Sequence, residues 1–138
     1  MLSDIKNRED IQKLVTQYYE RLLVYTKLEP SLKNKVSLWK KHLLEFVDFW
    51  EKTLLLNFKE KQTKIPLQIS KEISSVLEHR KSFWLLLNFW IATVDDNFIG
   101  ETASKAKKKA RNMYSTIYFK ISECKNYKIK NTYKIPNY

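Results

Sequence analysis

Glycine is nearly absent from this chain, whose 138 residues include one glycine, three prolines, one cysteine and two histidines. So few turn residues disfavour a meander of short strands and point to a few long helices in an all-α domain. The lone cysteine, Cys124, has no internal disulfide partner and fits a reducing, cytoplasmic setting. With two histidines, no paired carboxylates and no glycine-rich phosphate loop, neither a metal-ligand cluster nor a nucleophile–base pair is legible. Long apolar runs are missing too. The longest, 82–94 (SFWLLLNFWIATV), is interrupted by Asn88 and is too short for a bilayer, so no membrane span is expected. Acids and bases are scattered through the first ten residues, so no secretory signal is expected there.

What is present is apolar, aromatic and basic. A 43% hydrophobic and 14% aromatic content argues for a packed core rather than disorder. The net charge of +11 is uneven, because residues 101–138 carry ten Lys or Arg against two acids while the first hundred are nearly balanced. The basic character therefore belongs to the C-terminal part.

The stretch 38–56, LWKKHLLEFVDFWEKTLLL, organises the rest. At helical spacing His42, Phe46, Phe49, Trp50 and Thr53 share one side, widened by Leu43, Val47 and Leu54, with Lys40, Lys41, Asp48, Glu51 and Lys52 mostly opposite. An ionisable residue, His42, thus lies within an aromatic face, where it needs a hydrogen-bond partner or a ligand. Before this stretch, Asn7 caps a helix from Arg8 whose stripe is Ile11, Leu14, Val15, Tyr18, Leu22 and Val24, with Tyr19 at its edge; Pro30 ends the run. After it comes a polar connector at 57–64. An apolar helix over about 75–95 follows, carrying Val76, His79, Phe83, Leu86, Leu87, Trp90 and Val94. A final helix starts at Glu101 with Ala103, Ala106, Ala110, Met113, Ile117 and Ile121 on one face and Lys107, Lys108, Lys109 and Arg111 outward. The sequence divides into a domain over 1–122 and a basic, flexible tail over 123–138.

Four segments in this order, DIKNREDIQKLVTQYYERL at 4–22, LEP at 28–30, WKKHLLEFVDFWEKTLL at 39–55 and TVDDNFIGETASKAKKKARNM at 93–113, resemble the group III truncated haemoglobins. That resemblance to small bacterial globins implies a two-on-two helical globin fold around b-type haem. It places Tyr19 as a distal hydrogen-bond donor, His42 as the distal histidine and Phe46 as the bulky residue over the ligand. Phe49, Trp50, Leu86 and Trp90 are the pocket wall it implies. The proximal side departs from the family's pattern, since the position of the iron-binding histidine falls at Ser70, four residues after Pro66. His79 is then the candidate metal ligand within the chain.

Three readings follow. The first is a truncated-haemoglobin-like protein binding haem and oxygen or nitric oxide, with Tyr19 and His42 as donors to a ligand that carries partial negative charge on ferrous iron. A nitric oxide dioxygenase version would need an electron donor. The second is a haem-free globin-fold binding or regulatory module. The third is a basic surface for nucleic acid or another anionic surface, using Lys105, Lys107, Lys108, Lys109, Arg111, Lys125, Lys128, Lys130 and Lys134 interleaved with Tyr114, Tyr118, Tyr127 and Tyr133. Against the third stands an ordinary solvated helix face.

Overall fold

The computed structural model describes residues 1–26, 34, 36–56 and 80–134, and the side chains of 1–25, 34, 36–56 and 83–120. Within these, the chain is all-α: α1 (Arg8–Thr26), a 3-10 helix (Leu38–His42), α2 (Leu43–Leu54), α3 (Arg80–Asn97) and α4 (Glu101–Lys134). Extended pairing among the described residues is limited to one bridge between Ser3 and Phe98.

Helix α1 begins where Asn7 caps it, the Asp10 N–H donating to Asn7 Oδ1 at 2.9 Å. Glu9 and Asp10 sit in the first turn, where the helix dipole favours acids. Its buried stripe is Ile11, Leu14, Val15, Tyr18, Tyr19 and Leu22. Val24, expected in that stripe, is exposed, because its spacing from Leu14 and Tyr18 carries it round to solvent.

The stretch 38–56 forms two helices in place of the single one its pattern suggests. At His42 the backbone leaves the helical region (φ −113°, ψ 8°), so a 3-10 turn ends there and α2 starts afresh. Phe46, Val47, Trp50, Thr53 and Leu54 are buried on α2, and Thr53 Oγ1 meets its own need by donating to the Phe49 carbonyl at 2.8 Å.

Helix α3 packs along both α1 and α4. It ends at Asn97, whose side-chain amide donates to Gln17 Oε1 at 2.7 Å and to the Thr93 carbonyl at 2.8 Å. The turn into α4 uses the glycine. Gly100 has φ +142°, and a Cβ there would come within 2.5 Å of Asp4 Cγ. Asp4 occupies that space because it caps α4 from the other end of the sequence, accepting from the Thr102 and Ala103 N–H groups at 2.9 and 2.8 Å. Small buried residues, Ala103, Ala106 and Ala110, then line α4. The helix continues to Lys134, well past residue 123, since no glycine or proline interrupts it before Pro136.

Among the described residues no helix is long and apolar enough to cross a membrane, and no three His, Cys, Asp or Glu side chains group as a metal site.

Candidate functional site

Bulky rings from every helix meet at one place. Val15, Tyr18 and Tyr19 of α1, Trp39 of the 3-10 helix, Leu43, Phe46 and Trp50 of α2, Trp90 of α3 and Tyr114 of α4 line a cavity. Its non-atom volume is about 290 Å³ including its open side, yet the rings leave room for only about one water-sized guest. Trp50 and Trp90 stack with centroids 4.6 Å apart and planes 20° apart, forming one wall. Tyr18 meets Trp90 edge-on at 5.1 Å, and Trp39 leans on Phe46 at 5.6 Å.

The polar groups of this lining differ in how fully they are satisfied. Tyr18 donates to the Leu86 carbonyl at 2.9 Å and lies 3.1 Å from the Tyr114 hydroxyl. As the single Tyr18 proton goes to Leu86, Tyr114 donates to Tyr18. Burial pushes Tyr18 well above the ordinary tyrosine value, with Tyr114 adding to it, and pushes Tyr114 up to about 12, so both stay protonated phenols. Tyr19 is raised as well, again by burial, but its hydroxyl reaches only the Ser37 carbonyl, at 3.5 Å. That is the long limit of a hydrogen bond. The Trp39 indole N–H, on a side chain in a residue only 2% exposed, has no partner among the described residues. By contrast Trp90 Nε1 donates to the Ala106 carbonyl at 3.1 Å.

The sequence-derived residues divide accordingly. Tyr19, Phe46, Trp50 and Trp90 line the same cavity. Phe49 packs half-buried beside Trp50 at 5.2 Å and is outside the lining. Leu86 is buried, but it reaches the site through the carbonyl that takes the Tyr18 proton. His42 is also outside the lining; its side chain is 14% exposed and its Nδ1 lies 3.2 Å from Glu45 Oε1, which gives it a carboxylate partner. Ser70 and His79 lie outside the described residues.

Sequence spacing missed Val15, Tyr18, Trp39, Leu43 and Tyr114 as lining residues. Trp39 and Leu43 flank His42 by a single turn or less, which was the available signal. For Tyr114 the signal misled: it had been grouped with the basic face, but at 2% exposure it cannot stack on a base. Lys107 is likewise engaged, at 2.7 Å from Asp95. Lys108, Arg111, Phe119 and Lys120 remain exposed on α4.

The lining holds donors and apolar surface without a carboxylate, imidazole or thiol. Comparison of the chain with family models, curated proteins and solved structures gives no match.

Proposed function

We propose that this chain is a truncated-globin-like protein that carries b-type haem and binds oxygen or nitric oxide on the Tyr19 side of that group. The observation that carries this reading is the convergence of Tyr19 and Phe46 on one aromatic cavity that still contains under-used donors. An iron-bound diatomic gas is a hydrogen-bond acceptor, and the donor set of this lining, a phenol O–H and an indole N–H, fits it.

Bound haem supplies a ferrous centre on which a diatomic ligand gains partial negative charge. The chain's own residues do the rest. Tyr19 donates its hydroxyl proton toward that charge, exchanging a 3.5 Å contact with Ser37 for a stronger, charge-assisted bond. Phe46 and Leu43 restrict the guest to small size, and the Tyr18–Tyr114 pair, already satisfied, closes the inner wall without competing as a donor. His42, held by Glu45, stands beside Leu43 as a second polar group at the helix junction. Trp50 would supply apolar surface to hold the haem, with Phe49 packed behind it, and His79 would be the candidate iron ligand within the chain.

A second reading, a haem-free binding module on the same scaffold, is favoured by the Trp50–Trp90 stack and the small free space it leaves. Haem-sized pockets lie at the upper end of a range of roughly 300–1,000 Å³. Titration with hemin, then dithionite and carbon monoxide, separates the two. A saturable, sharp Soret band with a carbonyl shift supports the haem reading, and its loss in His79→Ala makes His79 the axial ligand. Absence of a saturable band above the hemin blank rejects haem and leaves the binding module.

A further inference from the structure

Of the Phe and Trp residues whose side chains are described, two are exposed: Trp84 on α3, at 59%, and Phe119 on α4, at 65%. Single exposed rings are ordinary, but these two are placed together. The contacts Asp95–Lys107, Trp90–Ala106 and Phe83–Tyr118 run in opposite order along the two helices, so α3 and α4 are antiparallel. Phe83 and Tyr118 meet across that pair with centroids 5.1 Å apart. One residue further along, a helix has turned by about 100°, and in an antiparallel pair that step carries both chains to the same side. Trp84 and Phe119 therefore stand on one face and straddle the α3–α4 groove, while the buried Ala103, Ala106 and Ala110 fall on the opposite side of α4. Each exposed ring is seated on the pair beneath it, Trp84 edge-on to Phe83 at 5.0 Å and Phe119 edge-on to Tyr118 at 6.4 Å.

The charge around these rings is positive. About three and two turns before Phe119, Lys108 and Arg111 are exposed on α4, and Lys120 is exposed beside the ring. Asn88 is exposed one turn after Trp84. Further along α3 the acid Asp95 is already bound to Lys107, at 2.7 Å. The sequence of α4 extends the excess, with four lysines against one glutamate over 121–134. We propose that the outer face of α3 and α4 binds single-stranded nucleic acid, Trp84 and Phe119 stacking on unpaired bases while Lys108, Arg111 and Lys120 meet the phosphates. Every base has a flat face, so such rings accept any sequence, and the cations neutralise the backbone. The Asn88 amide, both donor and acceptor, serves the edge of a base stacked on Trp84. These rings do what the buried Tyr114 cannot. An anionic membrane is the poorer match, because an interfacial helix buries a broad apolar face, whereas the exposed residues of α4 from 108 to 120 are Lys, Arg, Asn, Thr and a single Phe. The face is also separate from the aromatic cavity, which neither Trp84 nor Phe119 lines.

The test uses the full chain as purified, with a labelled oligothymidylate of about 16 nucleotides, and reads fluorescence anisotropy and the quenching of tryptophan emission. Wild type should bind saturably at low salt, and affinity should fall steeply as salt rises, each phosphate contact adding a slope of about −0.7 on logarithmic axes. Trp84→Ala and Phe119→Ala should each weaken binding about fivefold to a hundredfold at an unchanged salt slope. Lys108→Ala and Arg111→Ala should each flatten the slope by about one phosphate contact, whereas Lys41→Ala, which removes an exposed charge from the 3-10 helix, should leave it at the wild-type value. Trp84→Phe keeps a stacking ring, so it should bind like wild type with most of the quenching gone, the other three tryptophans being buried. No saturable binding at low salt overturns the proposal. Equal losses in Lys41→Ala and Lys108→Ala, or wild-type affinity in both ring variants, also overturn it, because either shows attraction by net charge alone. Phosphatidylserine vesicles are the last arm: binding to them that needs Trp84 and Phe119, with no quenching by the oligonucleotide, overturns it in favour of a membrane surface. No arm involves haem, so the result stands whether or not hemin binds.

Discussion

The two ends of the α1–α3–α4 packing are built differently. At the end that holds the α3–α4 turn, small and polar residues mesh closely: Ala103 and Ala106 bring α4 against α3, Asp4 takes three backbone N–H groups, the Ile99 N–H finds the Ser3 carbonyl, and Asn97 bridges Gln17 and Thr93. At the other end, seven large rings meet around free space, one donor has no partner among the described residues and another is stretched. Protein interiors are close-packed, and this chain shows at its turn end that it can pack closely. The gap at the aromatic end is therefore a local property of that site, where the under-used donors also lie.

The sharpest way to break this contrast is to remove the ring that belongs to both ends. Trp90 is 1% exposed, stacks on Trp50, meets Tyr18 and anchors to Ala106. Trp90→Ala should cost about 3–5 kcal/mol, read as a drop in the urea midpoint at unchanged slope. A smaller loss would mean that the aromatic end is loosely attached to the core. Gly100→Ala acts only on the tight end. The new methyl would meet Asp4 at a positive φ, so both the turn and the cap must shift, at a cost of about 1–3 kcal/mol in the same measurement. Hydrogen exchange should show the protection lost first at Thr102 and Ala103, the amides that Asp4 holds. Equal loss across the aromatic cluster would show that the two ends are one unit.

The tight end was the easier to foresee. Asn7 as a cap, the Ala103–Ala106–Ala110 face and the start of α4 at Glu101 were legible because caps, small-residue stripes and helix breakers act within a few residues. The grip of Asp4 on α4 was not, since it joins residues almost a hundred positions apart. At the aromatic end, helical spacing found Tyr19, Phe46, Trp50 and Trp90 but treated Tyr114 as a surface residue because lysines surround it. A helical stripe gives a side, not a depth. Whether a tyrosine at its border is wet or dry depends on which helix lies across it, and for Tyr114 that neighbour is Tyr18 on α1. The break at His42 was invisible for a related reason, as neither glycine nor proline marks it.

Within the aromatic end, the Tyr18–Tyr114 pair separates satisfied from unsatisfied polar groups. Tyr18→Phe removes the acceptor of Tyr114 and the donor to Leu86, leaving a buried phenol without its partner, and should cost about 1–3 kcal/mol. Adding Tyr114→Phe to that variant should recover part of the loss, because two apolar rings then face each other with nothing left to satisfy. A double-mutant cycle on thermal or denaturant unfolding reads the coupling directly. Strict additivity would show that the hydroxyls do not interact, and would remove the argument that this wall is closed to a guest.

The smallest effect belongs to pH. Burial raises the Asp4 carboxyl, but the backbone N–H groups of Thr102, Ala103 and Ile5 together outweigh it and hold it below the ordinary aspartate value. Because its folded value lies below the unfolded one, Asp4 contributes stability that is fully present above the unfolded value and fades as pH falls through the folded one. Wild type should therefore lose this contribution on acidification, while Asp4→Asn, which keeps one acceptor oxygen, should lose about 1 kcal/mol at neutral pH and show a flatter acid limb. The two curves should converge below the ordinary aspartate range. The cavity's polar groups, phenols and an indole, do not titrate there, so on the proposed reading gas affinity should be level across the same interval while stability changes. An acid-dependent affinity that tracks the Asp4 limb would couple the tight end to the site, and the separation between the two ends would fail.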